Sequence, residues 1–415
     1  MSNELLPYRV ALCVSSPLLI GYTLWRAARD GGTDYLWQRL GGNTPAVAAP
    51  VWMHCASVGE VNAALPVLKA LRARHPQAPL LVTTNTPTGR AVALKEMGAD
   101  ITHAYLPLDF NFSMARFLSR LRPRCLVVME TELWPNLYQL CATLDIPLIL
   151  INARLSQRTL KAPSALRRAY RHALGQVRAI LARSDWDAGK FQELGAPAGR
   201  VTTVGNIKFA APGQTDALRL DDLVGRPYWL AASTHHQEEL HLARIWRRLP
   251  ATPELLVIAP RHPERRHAIL KQLAPLGFEI AVRSRGDAVT STTRIYLADT
   301  LGEMPALMTH AAFVFIGGSL IPHGGHNILE PARLAKAVLV GRHMDNFAEE
   351  TQSLLSAEAL LMAQDDRELG FALERLLVDA ELRAALGERA AAFMRRHEHV
   401  LPAYLERLEP LCGLR

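Results

Sequence analysis

No C-x-x-C pair occurs in this sequence; its five cysteines (Cys13, Cys55, Cys125, Cys141 and Cys412) are scattered along 415 residues. That spacing indicates neither a disulfide framework nor a zinc site, and a reducing compartment fits it best. The P-loop pattern G-x-x-x-x-G-K-[ST] and the dinucleotide pattern G-x-G-x-x-G are both missing, which argues against ordinary nucleoside triphosphatases, kinases and dehydrogenases. Basic runs with interleaved aromatics, zinc-finger spacings and RNP-like segments are absent too, so nucleic acid is not the expected partner. The chain also lacks internal repeats and low-complexity tracts.

One apolar stretch stands out, the sixteen charge-free residues "VALCVSSPLLIGYTLW" between Arg9 and Arg26. A full hydrocarbon span takes about 20 apolar residues, so the segment is short, and Ser15, Ser16 and Pro17 weaken it. No small-x-small cleavage site follows it cleanly. Arg26, Arg29 and Arg39 do follow, beside Tyr35 and Trp37. Positive charge and interfacial aromatics after an apolar segment hold that side in the cytoplasm. Residues 1–30 therefore read as an uncleaved anchor or a helix lying in the membrane surface; a buried helix of the first domain is the competing reading. Formal net charge is +8, and arginine far outnumbers lysine. With nucleic acid set aside, this excess favours a phosphate-bearing substrate or an anionic membrane surface.

Beyond the anchor the chain is too long for one ordinary core. Short apolar runs alternate with amphipathic stretches. Strands are expected at Val51–His54, Leu80–Thr84, Cys125–Met129, Pro147–Asn152, Ala179–Ala182 and Val201–Val204. "KFAAPGQTDALRLDDLVGRP", residues 208–227, breaks the pattern with Pro, Gly and Asp. It resumes at Tyr228–Ala232, Leu255–Ala259, Glu279–Val282, Arg294–Leu297, Phe313–Ile316 and Val338–Val340, and ends mostly helical from about Asp366. Alternation of this kind predicts parallel sheets covered by helices. The expected architecture is α/β, two doubly wound halves facing across a cleft: a first domain at 31–210, a linker at 211–227 and a second domain at 228–415.

Open parallel sheets bind ligands beyond the carboxyl ends of their strands. In the second half those ends carry "LAASTHHQEE", with Ser233 and Thr234 available as helix caps, "VIAPRHPERR", with Arg261 and His262 at the tip, and "VFIGGSLIPHGGHNILEP". Glycine lets a ligand approach the backbone, and a helix N-terminus offers free N–H groups to a phosphate. Arg261 can add a forked guanidinium, and Asn327 and Glu330 share a helix face suited to ribose hydroxyls. These features together indicate a nucleotide-phosphate site. No carboxylate or cysteine joins His262, His323 and His326 at a regular spacing, so no metal is expected. The first half carries more carboxylates. Glu130, in "VVMETELWPN", ends a strand and needs a partner such as Arg154 or a substrate hydroxyl. Glu60, in "HCASVGE", completes a Ser57-x-x-Glu60 capping box, and the nearby helix terminus favours its charged form. Capping and proton abstraction both fit that local pattern.

The blocks "HCASVGEVNAALPVLKAL", "TTNTPTGR", "METELWPN", "INARLS", "GNIKF", "AASTHHQEE", "APRHPER" and "FIGGSLIPHGGHNILEPA" occur in an order and spacing that resembles 3-deoxy-D-manno-octulosonic acid (Kdo) transferases, from about Asp34 to Glu350. The resemblance implies a GT-B fold of two Rossmann-like domains. It implies inverting transfer of Kdo from CMP-Kdo to the bisphosphorylated, tetraacylated disaccharide precursor of lipid A, without metal or other cofactor, at the cytoplasmic face of the bacterial inner membrane. By the same resemblance Glu60 is the general base and Glu130 a second functional acid. Pro260, Arg261, Gly317, Gly318 and Ser319 lie at the CMP phosphate, Asn327 and Glu330 lie at the nucleotide, and Ser233 and Thr234 are neighbours. Two rival readings are a non-hydrolysing sugar-nucleotide epimerase on the same scaffold and a non-catalytic nucleotide- or lipid-binding protein at the membrane.

Overall fold

The structure, a computed structural model, describes residues 3–210, 222–250 and 252–414; residues 211–221 of the expected linker lie outside the described residues. The chain divides into two compact units, Met1–Ala211 with Glu398–Arg415, and Pro212–His397.

The first unit is built on seven parallel strands: β1 (Val51–His54), β2 (Leu80–Thr84), β3 (Thr102–Tyr105), β4 (Cys125–Met129), β5 (Leu148–Ala153), β6 (Ala179–Ala182) and β7 (Val201–Thr203), in the order β3-β2-β1-β4-β5-β6-β7. The central strands are buried along their whole length because both sheet faces are covered. Side chains alternate between the faces. Met53, Val127 and Ile149 pack under the helices Val58–Arg74 and Val400–Leu411. Trp52, Val128 and Leu150 pack under Asn111–Leu121 and Pro135–Thr143. Each such side chain fully removed from water contributes roughly 1.5–3 kcal/mol.

The apolar N-terminal stretch forms the helix Leu6–Arg26, continued through one wide turn into Gly32–Arg39. Among the described residues it is the one helix that length and composition would allow to cross a membrane. Val14 and Leu18 are more than three-quarters exposed, so this is not a buried helix of the first domain. One end is tied down: Tyr8 donates to Asp109 at 2.8 Å and Arg9 to the Asn136 side chain at 2.8 Å.

The second unit repeats the plan with β8 (Tyr228–Thr234), β9 (Leu255–Pro260), β10 (Ile280–Val282), β11 (Ile295–Leu297), β12 (Phe313–Ile316), β13 (Ala337–Gly341) and β14 (Leu361–Ala363), in the order β10-β11-β9-β8-β12-β13-β14, all parallel. Two strands were not expected, β3 and β14. Both are short sheet edges with one neighbour, so neither carries the apolar run that a central strand must.

Two further expectations are corrected. The second domain does not extend to residue 415: the helix Val400–Leu411 packs on the first unit, where the Tyr404 hydroxyl accepts from Asn152 N at 3.1 Å and donates to Gly205 O at 3.0 Å. Nor are all cysteines free. Cys125, which opens β4, and Cys412 meet as a disulfide with Cα atoms 5.1 Å apart, within the usual range for such a bridge. They stand 287 residues apart in sequence, a pairing that motif spacing cannot reveal.

Candidate active site

Each sheet switches the direction of its strand order at a central pair, β1 and β4 in the first unit and β8 and β12 in the second. There the connections leave in opposite directions and a crevice opens at the carboxyl ends of the strands. Most of the side chains singled out from the sequence follow strands at these two points.

In the first unit β1 ends at His54 and the next helix starts after Ser57. The capping box forms: Ser57 Oγ accepts from Glu60 N at 3.4 Å, while Glu60 accepts from Ala56 N at 2.8 Å and from Ser57 Oγ at 3.2 Å. Capping does not leave Glu60 an ordinary carboxylate. Burial, then the charge of Glu132 and more weakly that of Glu130, push its pKa up to about 8, against the Ala56 and Ser57 donors that lower it. The sequence expectation that the helix terminus keeps Glu60 ionised and weakly basic is corrected, since desolvation and like charge outweigh the cap. Gly59 leaves the loop open beside it: a Cβ there would meet only Ser57 Oγ, at 3.9 Å.

Glu130 follows β4, buried to 4% exposure and held in the left-handed region at φ 53°. Its carboxylate accepts from Arg154 Nε at 2.5 Å, the partner its position demanded. A non-glycine residue strained in this way is often found at functional sites; Asn152 near the end of β5 and Ser233 near the end of β8 share the conformation, at φ 48° and 56°. Two residues of this site were given no role from the sequence. Glu132 acts on Glu60 through its charge. Buried His54 shares its Nδ1 with Thr83 Oγ1 at 2.9 Å; its Nε2, without a hydrogen-bond partner among the described residues, lies 3.9 Å from Glu132. Their signal was positional: both lie at strand tips inside the quoted blocks.

In the second unit the strand tips separate into framework and available groups. Ser233 sits in a bulge of β8, and the strand continues through Thr234, so neither residue caps the following helix. Buried Thr234 donates to Glu239, which is gripped by Arg265 at 2.8 and 3.2 Å. Ser319 is fully buried, its hydroxyl donating to Ile316 O and accepting from Gly341 N. Gly317 is glycine because a Cβ would lie 2.5 Å from Ser233 O. The glycine-turn N–H groups expected to meet a phosphate are already bonded. Fully buried Glu238 accepts from the N–H groups of Gly318, Ser319 and Leu320 at 2.6, 3.1 and 3.0 Å, and from that of His235 at 2.9 Å. Thr234, Gly317 and Ser319 therefore shape the site; their polar groups point to protein.

What stays available is Arg261, Asn327, Glu330 and three histidines. Arg261 follows buried Pro260, the last residue of β9; its N–H is bonded to Thr234 O and its exposed guanidinium has no carboxylate partner among the described residues. Asn327 donates to Glu330 at 3.0 Å and caps Leu329 N at 3.0 Å, confirming their shared face. His235 joins His323 and His326 in one cluster, where the sequence had grouped His262 with the latter two. An exposed guanidinium without a carboxylate partner among the described residues suits an anionic ligand.

The family model described as 3-deoxy-D-manno-octulosonic-acid transferase (kdotransferase) matches residues 34–211. The 3-deoxy-D-manno-octulosonic acid transferase of Haemophilus influenzae is 34% identical over 87% of this chain and 86% of its own. That of Bordetella pertussis is 35% identical over 98% of this chain and 99% of its own. Among solved structures, UDP-GlcNAc 2-epimerase from Neisseria meningitidis aligns over 86% of this chain and 99% of its own, with a TM-score of 0.57 and 15% identity. That last likeness lies in the fold.

Proposed function

The chain belongs to the 3-deoxy-D-manno-octulosonic acid transferase family, and from that premise we propose that CMP-Kdo is its donor, the bisphosphorylated tetraacyl disaccharide precursor of lipid A its acceptor, and Glu60 its general base. It is a glycosyltransferase of GT-B type that moves Kdo in lipopolysaccharide biosynthesis. The observation that carries the mechanism is the Glu60 carboxyl, lifted to about 8 among two further carboxylates. A sugar hydroxyl is a poor nucleophile until a base takes its proton as the new bond forms, and a base is most effective with a pKa near the working pH. The hydroxyl oxygen attacks the anomeric carbon with inversion, its proton passes to Glu60, and CMP leaves with the bonding pair. Arg261 meets the charge that grows on the departing phosphate, the role of a donor already in place. Glu130, fixed by Arg154, orients the acceptor. The exposed apolar helix and the excess of arginine fit an anionic, bilayer-held acceptor at the inner membrane; a basic residue near such a surface contributes about 1 kcal/mol. Incubating the purified protein with CMP-Kdo and the lipid A precursor, with mass spectrometry of the product, tests the reading: one or more added Kdo residues support it, and unchanged lipid overturns the acceptor assignment.

Arg261→Ala should weaken CMP binding roughly 10–100-fold, as expected for a lost hydrogen bond to a charged group, with the KM for the lipid unchanged. Calorimetry with CMP checks this, and equal affinity would remove Arg261 from the donor site. The pH profile tests Glu60. The base acts deprotonated, so kcat/KM should rise with pH and level off above about 8. Glu132→Gln removes the neighbouring charge that disfavours ionised Glu60, and the midpoint should move to lower pH. An unmoved midpoint would detach the profile from this cluster.

A further inference from the structure

We propose that His235, His323 and His326 form a zinc site, with a water or an anionic oxygen as fourth ligand. One ligand-capable nitrogen from each ring lies within 4.8 Å of the other two. His235 Nε2 and His326 Nε2 are 2.7 Å apart, and the His235 and His323 ring centroids 3.8 Å. Nitrogens bound to one tetrahedral zinc at about 2.0–2.1 Å stand roughly 3.3 Å apart, so small ring rotations suffice. Three imidazoles without a carboxylate select zinc or another first-row transition ion over magnesium or calcium, which require oxygen.

The fold brings these rings together by specific means. His235 is fixed through its backbone N–H to Glu238 at the tip of β8. Gly318, at φ 70°, leaves room for two of the rings: a Cβ there would stand 3.3 Å from His326 Cδ2 and 3.5 Å from His235 Cδ2. The loop bearing the other two is pinned by Gly325 N to Gly318 O at 2.8 Å and by Asn346 to His323 O at 3.1 Å. The guanidinium groups of Arg261 and Arg265 beside the rings oppose a bare dication and favour an anionic oxygen as the fourth ligand.

The test uses untagged, full-length protein in detergent, stripped with chelator and titrated with zinc alone by calorimetry and elemental analysis. One zinc per chain is expected. His323→Ala and His326→Ala should each weaken it at least about tenfold, no less than losing an outer-shell partner does. His236→Ala should not, because His236 is exposed outside the cluster. Cobalt in place of zinc should give visible absorption bands that vanish in both variants. No zinc uptake, or uptake that both variants retain, overturns the proposal. Circular dichroism of each variant excludes misfolding, and CMP titration of the metal-free protein reports separately on the donor site.

Discussion

Glu60→Gln is expected to slow Kdo transfer about 10³-fold, the size of a lost general base, while leaving the melting temperature and CMP affinity unchanged. The reasoning turns on what glutamine keeps. Its amide oxygen still accepts from Ala56 N, and Ser57 still receives the N–H of residue 60, so the start of the helix Val58–Arg74 survives. What disappears is a group able to take a proton near neutral pH. Steady-state transfer with CMP-Kdo and lipid acceptor, beside a thermal melt, separates the two roles. Near-normal turnover would return Glu60 to capping alone. A large fall in melting temperature would show that the carboxylate's charge, not only its shape, holds the loop. Glu60→Asp offers a graded check, since the shorter side chain keeps the chemistry but cannot reach Ala56 N in the same geometry.

The two roles of Glu60 show where sequence reasoning ends. A capping box is a local pattern, legible from Ser57 and Glu60 alone, and it formed as expected. The rise in pKa is not local, because it comes from burial and from Glu132, which reaches the site only when β4 pairs with β1. The same division runs through the fold. Central strands such as Cys125–Met129 and Phe313–Ile316 were legible to the residue, since burial on both faces requires an unbroken apolar run. The edge strands β3 and β14, the return of Val400–Leu411 to the first unit and the pairing of Cys125 with Cys412 depend on long-range packing. In the second unit the strand tips were found correctly, but which polar groups there face a ligand was not. Thr234 and Ser319 look the same in sequence whether their hydroxyls serve a phosphate or, as here, Glu239 and the backbone of β12 and β13.

Glu238 carries the largest expected effect on stability. Its carboxylate is the shared acceptor for four backbone N–H groups, those of His235, Gly318, Ser319 and Leu320. Glu238→Ala leaves these donors without a partner in a site where Glu238 itself is fully buried. Each unsatisfied buried donor costs about 1–3 kcal/mol, offset in part by water entering and by the turn relaxing, so a net loss of about 4 kcal/mol is expected. For a unit of this size that is a fall in melting temperature of ~10 °C. Glu238→Gln keeps one oxygen but turns an NH₂ toward two of the donors, and should lose nearly as much. Because this acceptor gathers the N–H groups of the glycine turn beside Arg261, CMP binding should weaken in both variants at temperatures where the protein stays folded. Arg261→Ala should weaken CMP binding with no change in melting temperature. If Glu238→Ala melts like the parent and binds CMP as well, the turn must be held by something other than this carboxylate, and the division into framework and ligand-facing groups at the tips of β8 and β12 would have to be redrawn.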